Sequence, residues 1–469
     1  MKNLLTGLFF ISIPLFLQAQ TVSSYEINAE FFPDDAQMYG YPVSPEAFMR
    51  ANSAIIFSEI KDSIIVFYLH GELNIDSIIT ENKTINYTNE RVLYDYEYSR
   101  VALKVTVKTS DIAKNTLIVF YSGFFNPSKA GSISNYMHIN KNTGVYLRGY
   151  GYSLWFPVFT ESYQSGYRAY FKTITVRLPE GYKCIIGGEL LEENTQDHIY
   201  TAIWKPGLIN IFDIQCTARR YQLITMDNVY VFYLDNQLGG KKILEYAIGL
   251  RELYSQNLRS IDNTLPLFIM EMPRYGNISN SNVIGISEEL FKDFDNDLRS
   301  KLTIAHELVH NYVKIPVEIE NPFYAFVVEG FPSFFQVYAL NKMDSDAYNI
   351  DEKMRSVEKS YLKKRNTGTT RHGNPLPIEK PILEIKFDEI GTYKDNFVLN
   401  DRVWLFFYCL WRKMGNKGFD NFLKELFSFN SINYNTFEEL VVKYIPGYKP
   451  ELNIWLRTTE YPDDIKIAH

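Results

Sequence analysis

With 469 residues, an apolar share of 46% and a net charge of −7, the chain has material for two or three domains with sizeable cores. The acidic balance, with no basic stripe to reverse it, argues against nucleic acid as a partner. Its 35 Tyr and 33 Phe suit packed β-structure.

The first 20 residues read as an export signal. Lys2 supplies positive charge, Leu4 to Leu17 is an apolar run too short to span a bilayer, and Gln18-Ala19-Gln20 offers small and polar residues near a cleavage point. The mature chain is expected to be secreted or periplasmic. No stable membrane anchor is expected after cleavage, because no later segment supplies the ~20 uninterrupted apolar residues of a transmembrane helix. The three cysteines are too few and odd in number for a disulfide framework. Cys184 and Cys216 fall in strand-like segments and can pair in an oxidising compartment, with buried free thiols as the default. Cys409 sits in an apolar helical run.

Residues 21–222 are dominated by alternation. Val101, Leu103, Val105 and Val107 recur at period two, as do Ile174, Val176 and Leu178. Ile64 to Leu69 and Leu117 to Tyr121 are continuous β-branched or aromatic runs bounded by Gly, Asn, Asp and Pro. About a dozen such strands, without a convincing amphipathic helix, predict an N-terminal all-β domain of two packed sheets. Trp155-Phe156-Pro157 interrupts the pattern and reads as aromatic packing inside it, preferred to a role in holding substrate.

The pattern changes near Met226, and residues 223–430 form a second, mixed domain. Val229 to Leu234 and Leu267 to Met272 read as strands. Between them, apolar residues at 243, 244, 247, 250, 253 and 254 have helical spacing. Asp295, Asn296 and Asp297 supply N-cap candidates for the helix that follows. Beyond it the text is mostly helical: Pro332 fits a first helical turn, and Val398 to Met414 is apolar and closed by Gly415. Residues 431–469 are expected to form a short helical remainder.

The centre of the second domain is His306-Glu307-Leu308-Val309-His310. Positions i and i+4 share one helix face, so both imidazoles can serve one metal ion. Glu307 sits one step round the helix, within reach of a water beside that ion. This H-E-x-x-H arrangement is that of zinc peptidases, with the glutamate as general base. A catalytic zinc takes three protein ligands and keeps one position open. The third ligand is expected to be Glu329, 19 residues beyond His310, with Pro316 and Pro322 breaking the chain between two helices.

A polar helix face could produce the same letters by accident. However, two of only seven histidines fall in the motif, and Leu302, Ala305, Leu308, Val309 and Val313 make its helix an interior one. Glu329 also lies in the apolar run Phe326 to Phe331, where a carboxylate without a cation is costly. His70, His138, His198, His372 and His469 have no such context and read as surface or satisfied polar positions.

His306-Glu307-x-x-His310 followed by Glu329 within Glu-Gly-Phe resembles the gluzincin motif of the membrane alanyl aminopeptidase family, and the upstream β domain with its Leu154-Trp-Phe-Pro segment is similar in order and length. The likeness spans roughly residues 50–425. It implies a saddle-like N-terminal β-sandwich domain followed by a thermolysin-like, mostly helical zinc-peptidase domain. It also implies one Zn2+ per chain on His306, His310 and Glu329, with a peptide as substrate.

The chain departs from the family pattern in two places. The strand whose glutamate holds the substrate amine corresponds to Gly276-Asn277-Ile278-Ser279-Asn280, with Glu288 in register with a later acidic position. Gly276, Ser279 and Asn280 become the expected substrate contacts. Ser279 stands where the family has the amine-binding glutamate, and a hydroxyl offers no full negative charge to an ammonium group. Glu271, nearby in sequence, is the candidate substitute. The second departure concerns the oxyanion. Counting back from Gly415 puts Asn400 at the family's tyrosine position, with Tyr393 seven residues earlier. Tyr393 is the expected oxyanion donor and Asn400 the alternative. Two functions follow: a peptidase using Glu307, or a catalytically weak zinc-containing relative that binds peptides.

Overall fold

The computed structural model describes residues 20–33, 48–95, 100–124, 137–147, 154–159, 168–210, 214–258, 266–272, 278–280, 282–294, 298–312, 321–345, 348–369, 374–386, 389–394, 398–429, 431–463 and 465. Residues 1–19 of the expected leader, Gly276, the N-cap candidates at 295–297, His372 and His469 lie outside them. The N-terminal half is β-rich and the C-terminal half mostly helical.

The alternating runs become strands. Arg100–Lys108 and Arg168–Pro179 carry the period-two patterns, and Ile64–His70 and Thr116–Phe124 the continuous ones. Gln20–Phe32 pairs antiparallel with Phe48–Ile60 and parallel with Arg168–Pro179, inside a nine-stranded sheet. A three-stranded and a four-stranded sheet join it, so among the described residues of this half three sheets stand where the pattern predicts two. The four-stranded sheet is built of short strands, Met137–Asn140, Gly144–Leu147, Lys183–Ile185 and Cys216–Arg219, brought together from distant parts of the chain. Such short pieces leave little periodicity to read.

Period two puts alternate residues on one face, and Met49, Ala51, Ile55 and Phe57 are buried on it together with Tyr25, Ile27, Ala29 and Phe31. Trp155 and Phe156 belong to the same core. Phe156 meets the rings of Tyr25 and Phe171 edge-on, and the Tyr25 hydroxyl donates to the Pro157 carbonyl at 3.1 Å. Cys184 and Cys216 are buried free thiols with their sulfurs 3.7 Å apart.

The helical half begins with a five-stranded sheet in the order Gln222–Met226, Val229–Tyr233, Leu267–Met272, Val283–Ser287, Ile278–Asn280. Its two faces serve different cores. Val231, Ile269, Ile284 and Ile286 join the helices, whereas Phe232, Phe268, Met270, Met272 and Val283 join the β-rich core. The helices are α1 (Gln237–Asn257), α2 (Glu288–Lys292), α3 (Leu298–Val309), α4 (Phe331–Met343), α5 (Ile350–Thr367), α6 (Ile390–Lys394), α7 (Val403–Leu426), α8 (Tyr434–Tyr444) and α9 (Lys449–Arg457). Asn236 caps α1 by accepting from Gly239 N–H at 2.9 Å.

Gly415 takes φ 67° and ψ 171°, a backbone state open to glycine, and there α7 kinks before continuing to Leu426. The helical run thus ends where expected, but a second one starts at once. Residues from Ile432 to Ile465 pack into the same core as α3, α4 and α7. Arg402, fully buried, ties them in by donating to the carbonyls of Ile454, Trp455, Thr458 and Glu460. Among the described residues, no helix is long and apolar enough to cross a membrane.

Candidate metal centre and active site

Helix α3 is fixed before its ionisable groups are placed. Ile304, Ala305, Leu308 and Val309 face the core, the Tyr254 hydroxyl donates to the Ala305 carbonyl at 2.9 Å, and Ser300 donates to Leu290 O at 2.8 Å. His306 and Glu307 sit on this helix at only 9% exposure each. His310 follows just past its end, where Asn311 and Tyr312 N–H close the last turn on Leu308 and Val309.

The partner carboxylate arrives on a π-helical turn, Phe326–Gly330, that leads into α4 with Pro332 in the first turn. Phe326 stacks on Phe407 at 5.5 Å, and Phe331 packs edge-on against Phe407 and Phe326. That aromatic anchor holds one side of the turn inside the core and leaves Glu329 on the other. The wider turn, one residue longer than an α turn, is a feature often found where a helix must present a functional side chain.

The result is a compact donor cluster. His306 Nε2 lies 3.2 Å from His310 Nε2 and 3.5 Å from Glu329 Oε2. The two imidazoles meet nearly perpendicular at 79°, and ligand atoms of all three residues lie within 4.8 Å of one another. A tetrahedral ion with bonds near 2.0–2.1 Å holds its ligands roughly 3.3 Å apart. The two measured separations bracket that value, and two imidazoles with a carboxylate are a donor set suited to Zn2+. Both rings present Nε2, which leaves Nδ1 to carry the proton when a metal is held.

The other expected site residues fall as follows. Ser279 and Asn280 lie on the edge strand Ile278–Asn280, in antiparallel register with Ile284 and Val283. Gly276 is outside the described residues. Glu271 is buried, its carboxylate accepting Leu234 N–H at 2.8 Å, and burial pushes its pKa upward. Tyr393, on α6, is buried and its hydroxyl donates to the Ile378 carbonyl at 2.8 Å. Helix α6 packs against the turn that carries Glu329. Asn400 lies in a second π-helical turn, Val398–Arg402, and its buried Oδ1 has no hydrogen-bond partner among the described residues.

Sequence reading missed Ser333. Its buried hydroxyl donates to Gly330 O at 2.8 Å and is also within 3.0 Å of Leu399 O, so it links the two π turns bearing Glu329 and Asn400. The only signal was a lone hydroxyl in the apolar run Phe331 to Val337. The charged pair Asp401 and Arg402, inside an otherwise apolar segment, was a similar overlooked clue. Asp401 accepts from Lys364 at 2.6 Å, and Arg402 pairs with Glu379 at 3.0 Å.

No protein-family model matches the sequence. The fold, by contrast, is shared along nearly the whole chain with solved zinc metallopeptidases. The M1 zinc metallopeptidase of Deinococcus radiodurans aligns with a TM-score of 0.60 at 12% identity, over 95% of this chain and 96% of that one. A mutant of the Deinococcus enzyme bound to a Tyr-Ser-Ala substrate gives 0.59 at 13% identity, with the same coverage. A two-domain M1 zinc metallopeptidase mutant bound to L-tryptophan gives 0.60 at 13% identity, again over 95% and 96%. The chain therefore has the two-domain fold of these enzymes, β-rich first and helical second.

Proposed function

We propose that the chain is an exported zinc metallopeptidase acting on peptides, a divergent relative of the M1 enzymes whose fold it shares. The observation that carries this reading is the convergence of His306, His310 and Glu329 at zinc-ligand spacing. The bound peptide and amino acid of the structural neighbours support a peptide as substrate. Export rests on the leader at 1–20.

His306, His310 and Glu329 would hold one Zn2+. Bound there, zinc polarises a peptide carbonyl and makes water nucleophilic near neutral pH. Glu307, adjacent to His306 on α3, takes the proton from the attacking water and returns it to the leaving amine. Ser279 on the edge strand gives no anionic anchor for a substrate ammonium group, so selection departs from strict aminopeptidase behaviour. The contacts expected at Gly276, Ser279 and Asn280 are then mainly polar.

Oxyanion support comes from Tyr393 or Asn400, and their surroundings separate them. The Tyr393 hydroxyl must leave Ile378 to serve a substrate, whereas Asn400, whose Oδ1 has no hydrogen-bond partner among the described residues, would donate through its amide Nδ2. Loss of one oxyanion donor costs roughly 10²–10³ in kcat. Asn400→Ala is expected to show that loss, with Tyr393→Phe changing kcat by much less. The reverse order, measured on one cleaved peptide, returns the role to Tyr393.

Zinc reconstitution followed by elemental analysis should give one ion per wild-type chain and none for Glu329→Ala. A mixed peptide library should be cleaved by the zinc-loaded protein and protected by a chelator. Absence of metal after reconstitution sinks the reading altogether. Metal without cleavage supports the second reading, a peptide-binding relative, which the missing amine anchor at Ser279 and the engaged Tyr393 hydroxyl favour.

A further inference from the structure

We propose that Gln215, Thr217 and Arg219, all outside the candidate metal centre, form a binding site for a carboxylate-bearing ligand in the β-rich half. Thr217 and Arg219 alternate along the strand Cys216–Arg219 and so point to one face of the four-stranded sheet. Gln215 precedes the strand in the same phase. All three are buried, at 1%, 0% and 8% exposure. Among the described residues, Gln215 Nε2, Thr217 Oγ1 and Arg219 Nη1 are each buried atoms with no hydrogen-bond partner.

Their chemistry selects the ligand. An amide N–H, a hydroxyl and a guanidinium together offer donors, and a fixed positive charge, to an incoming acceptor. A buried lysine can shed its proton to relieve its burial, but arginine keeps its charge in any protein setting. An opposite charge that acts on Arg219 from within the chain is Glu271. Among the described residues these two make no ion pair, and the Glu271 carboxylate is turned to Leu234 N–H. Tyr221, which also lies in the field of Arg219, donates a hydrogen bond from its hydroxyl to the Glu271 backbone carbonyl at 2.7 Å.

A charge held this way is costly unless an anion from outside completes it. The planar two-donor edge of a guanidinium matches the two oxygens of a carboxylate. The Thr217 and Gln215 donors extend that contact along the strand, roughly 3.3 Å per residue, toward the rest of the same ligand.

Thermal melting of the full-length protein tests this without reference to metal or turnover. The probes are N-acetylglutamate, its neutral counterpart N-acetylglutamine, and inorganic phosphate at matched ionic strength. N-acetylglutamate is expected to raise the wild-type midpoint by roughly 2 °C or more near saturation, with N-acetylglutamine inert. Arg219→Met should melt higher than wild type without ligand, because an uncompensated charge is gone, and should lose the response. Arg219→Lys keeps the charge without the fork and should need roughly tenfold more ligand. A lower ligand-free midpoint for Arg219→Met, together with a silent wild type, would make Arg219 a structural group and overturn the site. So would equal responses to the acid and the amide, or stabilisation by phosphate that persists in Arg219→Met.

Discussion

Replacing Glu307 with Gln is expected to stop peptide hydrolysis while leaving zinc content unchanged. The substitution conserves size and touches none of the three donors clustered at 306, 310 and 329. What it removes is the carboxylate that can accept a proton beside the reaction centre. A positioned general base contributes roughly 10²–10⁴ to rate, so kcat should fall to about 1% of wild type or below. Because Glu307 is only 9% exposed and lies on a helix anchored through Tyr254 and Ser300, the amide should cause little rearrangement. Paired elemental analysis and initial-rate measurement decide the matter. Wild-type rates in the zinc-loaded Glu307→Gln variant would mean that another group moves the proton.

Arg402→Leu should be the most damaging single change to stability away from the site. The guanidinium is fully buried, pairs with Glu379, and satisfies four backbone carbonyls between Ile454 and Glu460 as well as the Tyr361 hydroxyl. Leucine leaves the Glu379 carboxylate without its main partner, though Arg365 remains at 3.4 Å, and leaves the carbonyls bare. Breaking a buried pair from one side costs roughly 3–5 kcal/mol. Urea unfolding should show a loss of this size, and the double change with Glu379→Leu should recover part of it. A shift below about 1 kcal/mol, small for a broken buried pair, would mean that the segment after α8 contributes little to holding this half together.

Strands and the clustered donor residues were legible in the sequence for different reasons. Val101 to Val107 and Leu267 to Met272 announce themselves because burial on one or both faces writes directly into local order. His306 and His310 do so because four residues make one helical turn. Glu329 could be selected only by its apolar neighbours, since its return to the histidines depends on a turn of non-standard width. That turn leaves no local mark, and nor does the second one, which sets Asn400 and Ser333 in relation. The same limit applies to Arg402 and Arg219. Whether a buried arginine meets a carboxylate, as Arg402 meets Glu379, depends on contacts between segments far apart in the chain. The pairing of the short strands into the four-stranded sheet was hidden for this reason too.

The five-stranded sheet has no solvent-facing side for Phe232, Phe268, Met270, Met272 and Val283, which are shared with the β-rich core. An evolutionary or engineering event that discarded the β-rich half would therefore leave the remainder with a broad greasy wall, prone to self-association. The two halves are bound to be inherited together: recombination that swaps one for a foreign counterpart must also match that wall.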